Sequence, residues 1–355
     1  MTPKDALRIP KTSSTERVIQ LSAMRVFACI GIVVLHTVFA ANEYFADTVS
    51  AGENLACRMT ENNMMWAVPV FVMVTGVLQL NPGKPLSLRR LYGRYVLRIL
   101  LALVACCLVF RVFDIIMDGE AFTAGAVLKA FEELITARCW GHLWYLYLLI
   151  GLYVLLPFYR RLTEHCTDSE LLYLCGAFLL FVSIIPMIEG FGLHVGFYIS
   201  ESIIYPLYLF AGHMIYTGRL QISGPMGLLL LIGGTVCILI LDYLKYGAGV
   251  SVPGELFGYA SPLVIAQTMG VFTLLCKGWS CGRRTARFLE TVDGCSFGIY
   301  LIHMAFIRLL FRYMQINPFQ GSAAALLVGI IAGILILSFA VTWILKRIPG
   351  VRWVL

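Results

Sequence analysis

A chain of 355 residues that is 59% hydrophobic and only 13% charged, with a mean hydropathy of +0.83, lies far from a soluble domain, in which about 25% of residues are charged. That composition excludes a soluble globular enzyme and predicts an all-α, polytopic membrane helical bundle. In such a chain the net charge of +7 is a mark of orientation and calls for no nucleic-acid partner.

Ten apolar stretches of roughly the 20 residues that cross a bilayer as helix follow one another, at 21–41, 63–80, 95–113, 140–159, 170–188, 197–217, 225–244, 256–276, 294–312 and 321–345. The first is preceded by a polar, basic segment, residues 1–20, and is too long and too charged within to be a cleavable signal. It contains Arg25 and His36. An ionisable group at the centre of a spanning helix costs about 2.5 to 3.5 kcal/mol on insertion scales, so it persists mainly where it lines a polar cavity. Eleven residues advance an α-helix by about 1100°, roughly 20° past three turns, and by about 16 Å. Arg25 and His36 therefore share one face at different depths.

The third stretch is entered past Arg90, Arg94 and Arg98, which at i, i+4 and i+8 form one stripe of guanidinium groups, a geometry suited to gripping phosphates. Arg89 and Arg90 are better explained as a positive flank, whereas Arg98 lies deeper than orientation requires. Between the third and fourth stretches, Leu128, Phe131, Leu134 and Ile135 at helical spacing predict a short interfacial helix. The fourth opens with Gly141-His142-Leu143-Trp144-Tyr145-Leu146-Tyr147. An aromatic belt accounts for Trp144, Tyr145 and Tyr147, but not for His142. His303 lies inside the ninth. A single such histidine is more often a packing residue than a catalyst, and Glu201 and Asp242 are the acids best placed to meet one from another helix.

Lysine and arginine mark the cytoplasmic side. With the N-terminal segment inside, Lys4, Arg8, Lys11, Arg17, Lys84, Arg160, Arg219, Lys277, Arg283, Lys346 and Arg352 among others fall inside, and Arg58, Lys129, Arg138, Lys245 and Arg312 outside. Ten crossings return the chain to the cytoplasm, so residues 21–345 read as one transmembrane domain and 346–355 as a basic cytoplasmic tail. The setting is the cytoplasmic (inner) membrane, with lipid as the surrounding partner. Eleven cysteines show no metal-ligand spacing, so no metal is expected. Cys29, Cys106, Cys107, Cys175 and Cys237 read as small buried hydrophobes, and Cys57 and Cys139, both in outer segments, are candidates to pair.

Four strings together resemble the signature of the acyltransferase-3 family of integral membrane acyltransferases. They are Arg25-x10-His36, Val68-Pro69-Val70-Phe71-Val72-Met73-Val74-Thr75-Gly76, His142-Leu143-Trp144-Tyr145-Leu146 leading to Leu152-Tyr153 and Pro157, and Ser296-Phe297-Gly298-Ile299-Tyr300-Leu301-Ile302-His303. The resemblance runs from about residue 20 to 345. Within the family the chain looks most like the stand-alone O-acetyltransferases of surface polysaccharides, of the enterobacterial common antigen type, to whose sixth span Glu201, Tyr208 and Gly212 correspond. Ser22 stands where many members carry Asp three positions before the arginine. Thr75 replaces a commoner Ser and keeps the hydroxyl.

The resemblance implies an acyl-CoA co-substrate, usually acetyl-CoA, no permanently bound cofactor, and a hydroxyl acceptor on a glycan or lipid-linked sugar. On this reading Arg90, Arg94 and Arg98 hold the CoA phosphates, and His36 is the general base or accepts the acyl group itself. Arg25 positions the donor or polarises its carbonyl, and Glu201 orients the imidazole. His142, Trp144, Tyr147, Tyr208 and His303 line the substrate site. Two other readings remain open: a transporter or flippase with an Arg/His-lined path, which internal inverted repeats would favour and none is found, and an acyltransferase using succinyl-CoA or a non-sugar acceptor. The case for chemistry rests on Arg25 and His36 facing one water-accessible tunnel.

Overall fold

A computed structural model describes residues 14–83, 86–196, 199–277 and 281–355. Lys4, Arg8, Lys11 and Lys84 and the side chains of Arg17 and Glu201 lie outside the described residues. Among the described residues all regular structure is helical, as hydrocarbon demands of a chain that must satisfy each backbone N–H and C=O within its own segment. In chain order the helices are α1 (Ser14–Tyr44), α2 (Ala51–Asn63), α3 (Ala67–Gln79), α4 (Leu88–Asp118), α5 (Ala124–Ile135), α6 (Gly141–His165), α7 (Asp168–Gly190), α8 (Tyr205–Thr217), α9 (Gly224–Gly247), α10 (Pro262–Cys276), α11 (Arg283–Tyr313), α12 (Ala323–Leu345) and α13 (Pro349–Val354).

Seven of these, α1, α4, α6, α7, α9, α11 and α12, are long and apolar enough to cross a membrane. The stretches 63–80, 197–217 and 256–276 fold instead as α3, α8 and α10, of 13, 13 and 15 residues. At 1.5 Å per residue these measure about 20 to 23 Å, against a hydrocarbon core of about 30 Å. Their apolarity has a second source, which is contact with protein. Tyr205 to Met214 of α8 is buried without interruption, as is most of α3, and hydropathy scores such a helix like one that faces lipid. The helices α3 and α8 cross at two glycines. A Cβ on Gly76 would fall 2.0 Å from the Leu209 carbonyl oxygen, and one on Gly212 2.4 Å from that of Met73, so only glycine lets the two backbones approach.

The centre of the bundle is the pair α1 and α11. In α1, 67% of the most apolar stretch is buried, and in α11 50%, against 17% in α9 and 11% in α12. The contacts Arg25 to Asp293, Cys29 to Ser296, His36 to His303 and Phe45 to Phe311 advance together along both chains, so these helices run parallel. The helix α12 runs back along α11, with Thr342 against Gly298 and Lys346 against the Gly294 carbonyl. At the end where α1 and α11 begin and α12 finishes lie Arg283, Arg284, Lys346 and Arg347. This basic end also holds the start of α4 with Arg89, Arg90 and Arg94.

Two loop expectations meet the structure differently. The spacing of Leu128, Phe131, Leu134 and Ile135 does form a helix, α5, with Thr123 accepting from the Ala126 amide; its small residues Ala126 and Ala130 face the bundle, Leu134 packs against it half-buried, and Leu128, Phe131 and Ile135 are exposed. The pairing of Cys57 with Cys139 is not found. Cys139 is bonded to Cys107, with Cα atoms 5.9 Å apart, and Cys57 is a buried free thiol. Cys107, expected to be only a packing residue, is the partner because the segment entering α6 folds back on the side of α4.

The glycine crossing is open to direct test. Gly212→Ala is expected to lower the thermal stability of the detergent-solubilised protein by the equivalent of about 1–3 kcal/mol, the usual cost of overpacking. Gly233→Ala, whose Cβ would meet nothing within 4 Å, is expected to leave the melting temperature unchanged.

Candidate active site

At the basic end of the central pair, the Arg25 guanidinium meets the Asp293 carboxylate through two hydrogen bonds, Nε to Oδ1 at 2.6 Å and Nη2 to Oδ2 at 2.5 Å. The Ser22 hydroxyl donates to Asp293 Oδ2 at 2.8 Å. Ser22 and Arg25 lie three residues apart on one face of α1, so both reach the same carboxylate on α11. An arginine within a bundle needs such a counter-charge, and the bidentate geometry fixes the direction of its guanidinium. Asp293 went unrecognised in the sequence. The available signal was a second charge-to-histidine spacing, with Asp293 ten residues before His303 on α11 as Arg25 is eleven before His36 on α1.

Eleven residues along α1, three imidazoles converge. The rings of His36 and His303 stack with centroids 5.0 Å apart, and His142 stands edge-on to them at 6.4 and 5.4 Å. His142 is 3% and His303 0% exposed. His303 Nδ1 lies 3.1 Å from the Ile299 carbonyl, and His36 Nδ1 lies 2.8 Å from His303 Nε2. A carbonyl only accepts, so neutral His303 carries its proton on Nδ1 and accepts through Nε2. His36 must then donate from Nδ1, which leaves its Nε2 with a free lone pair. By the same argument His142 donates from Nε2 to the Leu301 carbonyl, and its Nδ1 is buried without a partner. The backbone carbonyl of His142 accepts from the Tyr300 hydroxyl.

A cavity of about 360 Å³ runs up from the basic end, lined by Arg25, Asp293, Arg98, Tyr153, Thr75 and Phe71 among others. Its upper wall is Ile32, Tyr145 and Tyr300, about one helical turn below His36. The Tyr145 and Tyr300 rings meet edge to face at 5.6 Å, and Tyr300 also touches His142 and His303. Arg25 therefore opens on the cavity, while the histidines lie behind an aromatic partition, where a continuous tunnel was expected. Beyond the histidines, Asp114 accepts from Trp140 Nε1 and from Arg308, both at 2.9 Å, and Arg308 lies 4.0 Å over the Trp140 ring. The Cys107–Cys139 disulfide ties the residue before Trp140 to α4.

The remaining candidates divide. Arg94 and Arg98 share a second, basic recess at the mouth of the cavity, but Arg90 lies over the Tyr95 ring at 6.0 Å. Leu91–Val96 is a π-helical turn, which breaks the 100° step on which a stripe of three depends. Trp144 packs among Tyr205 and Tyr259. Tyr147 donates to the Leu134 carbonyl at 2.6 Å, and Tyr208 to that of Tyr259 at 2.7 Å. These three stand away from the cavity lining. The contacts expected of Glu201 lie outside the described side chains; the partner of His36 is His303.

Residues 18–347 match the family model of the acyltransferase-3 acyltransferase domain. No curated protein and no solved structure matches the chain.

The shared carboxylate predicts a compensating pair of substitutions. Asp293→Ser leaves Arg25 without its counter-charge and is expected to cost about 1–3 kcal/mol of stability, below the figure for a fully buried pair because the Arg25 side chain is 29% exposed. Ser22→Asp alone sets two carboxylates side by side and is expected to destabilise as well. The double variant returns one carboxylate to the same place and is expected to melt close to the parent; additive losses in that thermodynamic cycle would contradict the assignment.

Proposed function

Because this chain belongs to the acyltransferase-3 family and is an acyltransferase with membrane-spanning helices, we propose that it moves an acetyl group from cytoplasmic acetyl-CoA to a hydroxyl of a cell-surface glycan or its lipid-linked precursor, with His36 as general base. The proposal seats it in the cytoplasmic membrane with the basic end inside. The three short helices pass the chain across in concert with their neighbours, so that ten passages bring both ends of residues 21–345 to the cytoplasm. Acyl-CoA is made there, and its phosphates keep it out of lipid, so a cavity that opens at the basic end supports this reading.

The observation that carries it is the chain of hydrogen bonds from the Ile299 carbonyl through His303 to His36. It holds one tautomer of His36, with the proton on Nδ1 and the lone pair on Nε2, as a base requires. In the proposed reaction the acceptor hydroxyl gives its proton to His36 Nε2 as its oxygen attacks the thioester carbonyl. The tetrahedral intermediate expels the thiolate of CoA, which takes the proton back from the imidazolium; the O-acetyl ester and free CoA leave. His303 Nε2 stabilises the transient charge through His36 Nδ1–H. Arg25, about 16 Å along α1 from His36, is too distant to polarise the reacting carbonyl. Its role in this scheme is to hold the donor arm, and Tyr300 must swing aside to admit the thioester.

General-base assistance is typically worth about 10² to 10⁴ in rate. His36→Ala is accordingly expected to lower incorporation of label from acetyl-CoA into the glycan and lipid fractions of membranes by that factor, at unchanged protein level; retained activity would remove His36 from the mechanism. Substituting His303 separates orientation from packing. His303→Leu is expected to cost about tenfold or more, and His303→Gln less, because an amide oxygen still accepts the His36 Nδ1 proton. Incubation with labelled acetyl-CoA and no acceptor is expected to leave the protein unlabelled, whereas an acetyl-histidine at residue 36 would replace direct transfer by a covalent relay.

A further inference from the structure

The helices α1, α2 and α12 enclose a groove that the reaction scheme above does not use. It holds about 660 Å³, more than the 360 Å³ of the cavity at Arg25. Val34 and Val38 of α1 form its floor, Gly52 and Ala56 of α2 one wall, and a stripe of α12 from Ala323 to Leu335 the other. Nine residues separate Arg25 from Val34, about 900° of helix, so the floor faces away from the side that carries Arg25 and His36. The groove is a separate site.

Its dimensions are those of a lipid chain in one leaflet. Ala323 begins α12 at the end opposite the cations, and Leu335 lies twelve residues further, about 18 Å along the axis. That depth is close to half of a hydrocarbon core about 30 Å thick. Glu53, in the first turn of α2, stands at the rim, and Leu327, Ile331 and Leu335 follow below it. A partner helix about 10 Å across would need about 1400 Å³ over this length, twice what the groove holds. An alkyl chain is slim enough to enter.

The rim selects among lipids by charge. Among the described residues of α2, Pro318–Gln320 and α12, Arg58 is the only basic one, and it already meets Glu43 and Glu61. An anionic headgroup finds no free cation there. Glu53 accepts from the Ser50 amide and hydroxyl at 3.0 and 2.6 Å through Oε2 alone, and its Oε1 has no hydrogen bond among the described residues. These bonds hold the Glu53 carboxyl below its usual range, so it is charged at neutral pH. A primary ammonium can donate to Oε1, which a choline group cannot.

We propose that the groove binds one phosphatidylethanolamine from the leaflet at that face, with an acyl chain lying along α12 between α1 and α2 and the ammonium group on Glu53. The site does not depend on the acyl-CoA reading.

The test uses the whole protein in detergent, stripped of lipid and titrated with dioleoyl phosphatidylethanolamine, phosphatidylcholine or phosphatidylglycerol, the bound lipid being counted by native mass spectrometry. The parent is expected to retain one phosphatidylethanolamine about fivefold more tightly than either other lipid, the effect of one exposed charge-assisted contact. Glu53→Gln, whose amide oxygen still accepts from Ser50, is expected to bring the three lipids level. Ala56→Phe and Ala332→Phe, both in the groove lining, are expected to weaken all three, whereas Ala325→Phe, on α12 outside that lining, changes nothing. Equal binding of the three lipids by the parent overturns the proposal. So does a preference that survives Glu53→Gln, or binding that survives both groove-filling variants and so belongs elsewhere on the protein. Where a phenylalanine variant melts lower without lipid, the Glu53→Gln comparison decides.

Discussion

The register in which α1 lies beside α11 is held by two polar contacts, the Arg25–Asp293 pair with Ser22 and the His36–His303 hydrogen bond. Inside hydrocarbon a polar group left without a partner costs several kcal/mol, so the register is set by the need to satisfy all of these groups at once. The separations of eleven residues on α1 and ten on α11 are each close to three turns, which keeps both contacts on the shared seam of two parallel helices. A slip of one residue turns every side chain by about 100° and leaves a guanidinium, a carboxylate and two imidazoles unpaired together. The same contacts aim Arg25 into the cavity and leave His36 a free ring nitrogen, so the groups that stabilise the centre of the bundle also define the candidate site.

Around that seam the molecule is divided by charge and by aromatic rings. Cationic groups collect where α1, α4 and α11 begin and where α12 finishes; the cavity above them is walled by aliphatic and aromatic side chains; and Tyr145 with Tyr300 separates it from the histidines. On the far side Asp114, Trp140 and Arg308 are joined to one another, and the Cys107–Cys139 bond holds the turn that carries Trp140 and His142. Dry surroundings strengthen the electrostatic contacts among the histidines.

The membrane class, the helical fold and the face shared by Arg25 and His36 were legible along the chain, because each rests on local periodicity or on the cost of a polar group in an apolar run, whereas the meeting of His142 and His303 with His36 was not. The departure at Ser22 was legible as well, though not its meaning. An aspartate absent from α1 is supplied by α11, and only the parallel pairing brings Asp293 to the Ser22 hydroxyl. The stripe of Arg90, Arg94 and Arg98 shows the reverse case. Spacing alone implied three groups in a row, and a π-helical turn at Leu91–Val96 removes Arg90 from it. Tyr147 and Tyr208, which occupy positions suggestive of a site, spend their hydroxyls on backbone carbonyls of neighbouring segments.

Composition and local pattern by themselves determined that this is a polytopic helical membrane protein with its cations gathered to one side, since both follow from the transfer energy of single residues and need no knowledge of neighbours. Only the tertiary structure decided which apolar stretches are long spans and which are short helices enclosed by protein, which cysteine finds Cys139, and which carboxylate answers Arg25. Those depend on what the far parts of the chain bring alongside. Hydropathy records that a residue avoids water, and is silent on whether lipid or another helix takes its place.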